Sequence, residues 1–198
     1  MPQELYTQRL LFAAICTVAM VSGCAHLQVG PSPPASPTPT ATATNSPGIC
    51  NTTQAPNTTL VTAMSSSITA TTDPTYGTIN GYTDAAGGSQ TASVINAKTT
   101  DVIQFVNVDS NSINHSAVGF PNAKAFPSVP YTFQSASQTP QGTAISTSQT
   151  WSTGLIASQG GSGCYSQAFT VPSTGTYYFG DYNYYNLTNM RDVIVVTQ

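Results

Sequence analysis

Charge is what this chain has least of. Asp, Glu, Lys and Arg make up 6% of its 198 residues, where about a quarter is usual. Solubility must come from Ser, Thr, Asn and Gln instead. The four basic residues (Arg9, Lys98, Lys124 and Arg191) are scattered. No basic face can neutralise a row of phosphates, which excludes nucleic acid as a partner. Glutamate occurs once, as Glu4, and histidine twice, as His26 and His115. No Gly-x-Ser-x-Gly is present, and the six aspartates are spread out. Nothing here points to nucleophilic or paired-carboxylate catalysis, so the expectation is a protein that is not an enzyme. Long amphipathic helices are missing as well. After residue 50 no stretch sustains apolar spacings of three and four.

What is present is β-branched and aromatic. Candidate strands fall at 59–70, 76–83, 91–97, 101–108, 115–119, 144–151, 165–171, 175–182 and 192–197. Turn signals separate them, such as Asp109-Ser110-Asn111 and Ser173-Thr174-Gly175. Many short strands with regular turns indicate an all-β sandwich or barrel. In the run "DVIQFVNVD", Ile103 and Phe105 share one face, and Val102, Val106 and Val108 share the other.

The first residues read as an address. Arg9 precedes an apolar run from Leu10 to Val21, and small residues follow. That order is a secretory signal, and the run is too short to span a bilayer comfortably. Its ending, Val21-Ser22-Gly23-Cys24, resembles the lipobox of bacterial lipoproteins. The resemblance implies a signal peptide over 1–23, cleavage before Cys24 and lipidation of the Cys24 thiol. Acyl chains would hold the protein on a membrane, since burial contributes roughly 0.8 kcal/mol per CH₂. Residues 24–48 are rich in Pro, Thr, Ala and Ser. They cannot bury a core and read as a disordered tether, reaching on the order of 70 Å when extended. The folded domain is expected over 49–198. Its expected place is outside the cytoplasm, lipid-anchored at the outer membrane or cell surface.

Cysteine usage fits export. Cys16 leaves with the signal peptide, and Cys24 takes the lipid. Cys50 and Cys164 remain as an even pair, which an oxidising compartment usually joins as a disulfide. The competing reading keeps Cys164 as a metal-binding thiolate and leaves Cys50 unpaired.

Three stretches carry a family resemblance. "KTTDVIQFVNVDSNSINHSAVGF" resembles the cupredoxin pattern of a strand ending in Phe-x-Asn, a polar turn and the first copper-binding His. "WSTGLIASQGGSGCYSQAFTVPSTGTYYF" resembles the later Gly-rich loop, aromatic strand and Gly-Thr-Tyr strand. "NMRDVIVV" resembles the closing Met and final strand. The resemblance implies a cupredoxin-like, Greek-key β-sandwich, with copper as cofactor and electron transfer as the family role. A blue site there needs two His, one Cys thiolate and usually a weak Met. His115 matches the first His and Met190 the Met. The Cys position falls at about Gly180 or Asp181, and no second His stands near Asn183 to Asn186.

Three readings of His115 stay open. In one, the site is vestigial and His115 hydrogen-bonds its neighbours. In another, His115, Asp181, Tyr182 (or Tyr184 or Tyr185) and Met190 bind Cu(II) at a non-blue site. In the third, Cys164 swings in as thiolate. Asn107, at the Phe-x-Asn position, is expected to brace the adjacent loop. The run "TYYFGDYNYY" offers Tyr182, Tyr184 and Tyr185 as a contact patch for protein or glycan. Two functions follow from this: a copper-binding or redox module, or a metal-free interaction module on the Tyr-rich loop. The expected partners are the membrane, through the N-terminal lipid, and an envelope protein or redox partner.

Overall fold

The structure is a computed structural model that describes residues 47–85, 88–160 and 162–198. The expected signal peptide, Cys24 and the tether up to residue 46 lie outside the described residues. Among the described residues, no helix is long and apolar enough to cross a membrane.

The strands are β1 (Leu60–Met64), β2 (Thr71–Asp73), β3 (Gly77–Ile79), β4 (Tyr82–Asp84), β5 (Ile95–Lys98) and β6 (Val102–Asn107). They continue as β7 (Val118–Gly119), β8 (Pro140–Gln141), β9 (Ser152–Thr153), β10 (Cys164–Thr170), β11 (Gly175–Gly180) and β12 (Arg191–Thr197). One sheet has the order β10-β6-β1-β4, and the second has the order β5-β12-β11-β7-β9-β8. The β2-β3 hairpin stands apart as a small third sheet. β1 with β6 and β5 with β12 are parallel pairs; the others are antiparallel. β4 to β5, β6 to β7, β9 to β10 and β10 to β11 all cross between the sheets. The architecture is an all-β sandwich.

The alternation read from β6 is what splits the apolar residues. Ile103 and Phe105 enter the core between the sheets, while Val106 and Val108 join a second cluster with Ala63, Ile68 and Ile79. Trp151 anchors the central core. Its ring centroid lies 5.4 Å from Phe169 and 5.9 Å from both Phe105 and Phe179. Gly119 makes room for it, since a Cβ there would fall 2.1 Å from the indole Nε1. Cys50 and Cys164 form a disulfide with a Cα–Cα distance of 4.7 Å. That overturns the reading of Cys164 as a thiolate ligand, because both sulfurs are spent on each other.

Several expected strands are shorter than the sequence indicated. The stretch 59–70 breaks after Met64, where the Ser65 hydroxyl accepts the Ser67 N–H at 3.1 Å and turns the chain. The stretch 144–151 forms no strand. There the Ser146 hydroxyl accepts the N–H groups of Ser148 and Gln149 at 3.2 and 3.0 Å. Such local bonds compete with a ladder. The stretch 115–119 keeps only Val118–Gly119 as strand, with His115 making a single bridge to Ile156.

Candidate functional site

The loop between β11 and β12 closes one end of the sandwich. It contains the short helix α1 (Tyr185–Thr188), capped by Asn189 in the left-handed conformation at φ 56°. His115 faces this loop. A bridge holds its backbone: His115 N–H donates to the Ile156 carbonyl at 3.1 Å and Ile156 N–H to the His115 carbonyl at 2.7 Å. Asn107 braces the same corner, as expected. Its Nδ2 donates to the carbonyls of Ile113 and Ile156 at 2.8 and 2.9 Å, and its Oδ1 accepts the Asp109 N–H at 3.0 Å.

The imidazole is fully buried and lies between two buried carboxylates. Nδ1 is 3.1 Å from Asp181 Oδ2, and Nε2 is 3.1 Å from Asp109 Oδ2. Asp109 arrives from the turn after β6, and Asp181 follows β11 directly. Each carboxylate is held by further donors. Asp109 accepts the N–H groups of Ser66 and Asn111, both at 2.7 Å, and the Ser66 hydroxyl. Asp181 accepts the N–H groups of Ser116, Asn183 and Tyr184, each at 2.8 Å.

In each of these other bonds the carboxylate is the acceptor. A neutral imidazole has one N–H, whereas the two N–H groups of a protonated His115 ring would match both carboxylates. Burial pushes its pKa down, but the bonds and charges of Asp181 and Asp109 outweigh that and raise it. Burial likewise pushes Asp109 up, yet the donors from Ser66, Asn111 and His115 hold it well below the usual carboxylate range. Five backbone N–H groups donate to the two carboxylates.

The other expected ligands do not converge on His115. The Met190 side chain is buried against Gly81, where a Cβ would meet its Cγ at 2.5 Å. Gly81 has φ +81°, so the close approach and the turn both call for glycine. The Tyr182 hydroxyl accepts from Gln138 Nε2 at 3.2 Å, and its ring lies against Phe133 at 5.6 Å. The Tyr184 ring packs 5.2 Å from the His115 ring. Tyr185 corrects the expected contact patch. Its side chain is fully buried among Phe120, Tyr131 and Phe133, with its hydroxyl donating to the Pro127 carbonyl. The first residue of α1 turns inward, so Tyr185 cannot face a partner.

These residues do not fit copper. A metal needs its donors around one point. Here the two His115 nitrogens point to opposite sides, and each already faces a carboxylate. Among the described residues, no group of three or more His, Cys, Asp or Glu side chains is arranged to hold a metal ion. In the sequence, Asp109 presents itself only as part of the polar turn Asp109-Ser110-Asn111. The signal that could have found it was a carboxylate six residues before the histidine, across a turn that brings them together.

Among solved structures, the chain is similar to auracyanin B, with 14% identity over 76% of this chain and 96% of that one, TM-score 0.41. It is also similar to rusticyanin from Thiobacillus ferrooxidans, with 16% identity over 70% of this chain and 75% of that one, TM-score 0.38. A third is the reduced auracyanin of Roseiflexus castenholzii, with 16% identity, 70% and 95% coverage and TM-score 0.37. These neighbours are cupredoxins. The cupredoxin likeness is one of fold. What brings His115, Asp109 and Asp181 together is this chain's own topology. No family model matches the chain, and no curated protein does.

Proposed function

We propose that this chain is an exported, lipid-anchored, non-catalytic binding module whose cupredoxin-like domain works without a metal. One observation carries the reading: both ring nitrogens of the buried His115 are spent on carboxylates at 3.1 Å. A proton stands between His115 and each acid, where the resemblance implies a metal and a thiolate. The Asp–His–Asp cluster then pins the β11–β12 loop to the turn after β6, which is a structural task. What supports the envelope setting is the Val21-Ser22-Gly23-Cys24 ending and the Pro-rich stretch behind it. The disulfide supports an oxidising compartment. Partners are held at the surface of the domain.

Titration of the purified full-length protein with Cu(II) and with Cu(I) tests this, followed by calorimetry and by ¹⁵N NMR of the His115 ring. The expected result is no stoichiometric binding at sub-micromolar concentration, with both ring nitrogens protonated throughout. Tight one-to-one binding that strips a proton from either nitrogen would sink the reading. It would restore the non-blue copper site built on His115 and Asp181.

A further inference from the structure

The chain enters the folded part at one particular end. Pro47 is exposed, and the residues just behind it are stitched to the loops of that end. Ile49 N–H donates to the Leu155 carbonyl at 2.8 Å, Leu155 N–H to the Gln138 carbonyl at 3.0 Å, and Gln138 Nε2 to the Tyr182 hydroxyl at 3.2 Å. Successive bonds thus lead from the entry point to the β11–β12 loop. β6 ends here opposite Cys164, and β12 begins here opposite Gly180. The turn between β10 and β11, around Thr174, lies at the other end of the sandwich.

The exposed large hydrophobic residues among the described residues, Val129 and Leu187, belong to the entry end, at 44% and 55% exposure. Their two segments are joined. Tyr131 N–H donates to Asn186 Oδ1, and Asn186 Nδ2 donates to the Tyr131 carbonyl, both at 2.8 Å. Residues 127–138 and 182–189 hold no carboxylate. The charges that flank them are positive: Lys124 is exposed in the loop leading to Pro127, and Arg191 lies beside Tyr185.

We propose that this end of the domain rests on the lipid surface that holds the chain, with Val129 and Leu187 entering the headgroup boundary. The inference rests on the lipid-anchored reading above and adds a second contact to it. Residues 24–46 lie between the expected lipid and Pro47. A chain anchored at Cys24 brings to the bilayer first the end that it enters. For the turn around Thr174 to touch lipid instead, the tether would have to double back along the length of the strands. Apolar side chains standing in water gain by entering the acyl boundary. Lysine and arginine beside them are drawn to anionic headgroups, which would repel a carboxylate. Two side chains alone hold weakly, but a covalent anchor makes their contact intramolecular and so populates it.

The test uses the full chain carrying its lipid, in vesicles of phosphatidylethanolamine and phosphatidylglycerol brominated on the acyl chains near the headgroup. Leu187→Trp and Val129→Trp are compared with Thr174→Trp. The native Trp151 is buried, and its emission in the unsubstituted protein is subtracted. All three positions are exposed, so the melting temperature should hold, and either loop position alone decides the outcome. Flotation with the vesicles is measured first. The expected result is that the protein floats, that the Leu187→Trp and Val129→Trp signals shift to the blue and lose intensity to bromine, and that the Thr174→Trp signal does neither. Equal quenching at the two ends, or none at the loop end, overturns the proposal and leaves the anchor standing. A loop end that docks a protein instead gives the second of these results. Protein that does not float overturns the anchored reading and this proposal with it.

Discussion

Two buried carboxylates flank the terminal loop, and they live under opposite conditions. Asp181, at its start, accepts three backbone N–H groups and faces the His115 ring at 3.1 Å. Asp192, in β12, is equally buried, but its Oδ1 accepts only the Val193 N–H and its Oδ2 has no partner. Burial raises the Asp192 pKa well above the ordinary value, Asp73 adds to the rise, and the single N–H only partly opposes it. Depth alone does not set a carboxyl's proton affinity: Asp109, on the far side of the same imidazole, is lowered by its several donors, whereas Asp192 with one is raised.

Removing the cation should have the largest effect. His115→Ala leaves Asp109 and Asp181 buried with no counter-charge, and breaking a buried pair this way costs about 3–5 kcal/mol. Urea unfolding measures it; a loss under about 1 kcal/mol would mean that the acids simply take up protons. Joint replacement of Cys50 and Cys164 by serine should come close behind, at up to about 5 kcal/mol for a loop closed over a 114-residue separation. It should leave the pH profile unaltered, because the bridge holds no proton. A changed profile would tie the disulfide to the acids.

The pH dependence sharpens the contrast further. His115 has a raised pKa, so its stabilisation is complete below its ordinary value of 6.5 and is lost as pH climbs through the raised value. Asp192 is also raised, but its window opens at the ordinary carboxyl value of 3.8 and runs upward. Asp192→Asn should therefore remove a decline of up to about 1.4 kcal/mol per pH unit above that value and keep the later His115 decline. Denaturation curves between about pH 4 and pH 9 separate the two. A variant with the wild-type slope at low pH would show that Asp192 finds a partner. Asp109 works in reverse: its contribution is present above the ordinary carboxyl value and fades as pH falls. The smallest effect belongs to Thr62, whose buried Oγ1 also lacks a partner. Thr62→Val should be neutral or stabilising by up to about 1 kcal/mol, and a marked loss of melting temperature would contradict it.

How far the sequence spoke depended on the range of the signal. β6 was readable because its two-residue period is local. Cys50 and Cys164 were readable as a pair because they are the two cysteines left once Cys16 and Cys24 are assigned to the expected signal and lipid. Asn107 bracing its loop was an expectation from its Phe-x-Asn position in the resemblance. His115 was singled out as the only histidine in the folding part, yet its partners come from opposite sides of the fold. Asp109 was hidden because Asp-Ser-Asn is also how a turn is written. Tyr185 was misplaced because a single helical turn rotates it inward, and no periodicity exists over four residues. The stretch 144–151 looked like strand by composition until Ser146 spent its hydroxyl on the backbone.

The cystine also decides how this chain would carry mechanical load. Tension arriving ahead of Cys50 passes through sulfur to Cys164 at the head of β10, and from there as shear into the ladder with β6. The chain between them, 114 residues apart in sequence, is shielded from stretching, on the order of 390 Å of contour at about 3.4 Å per residue. A pull from the amino-terminal side would meet a stop at the first folded residues, and adding a reductant would release that hidden length.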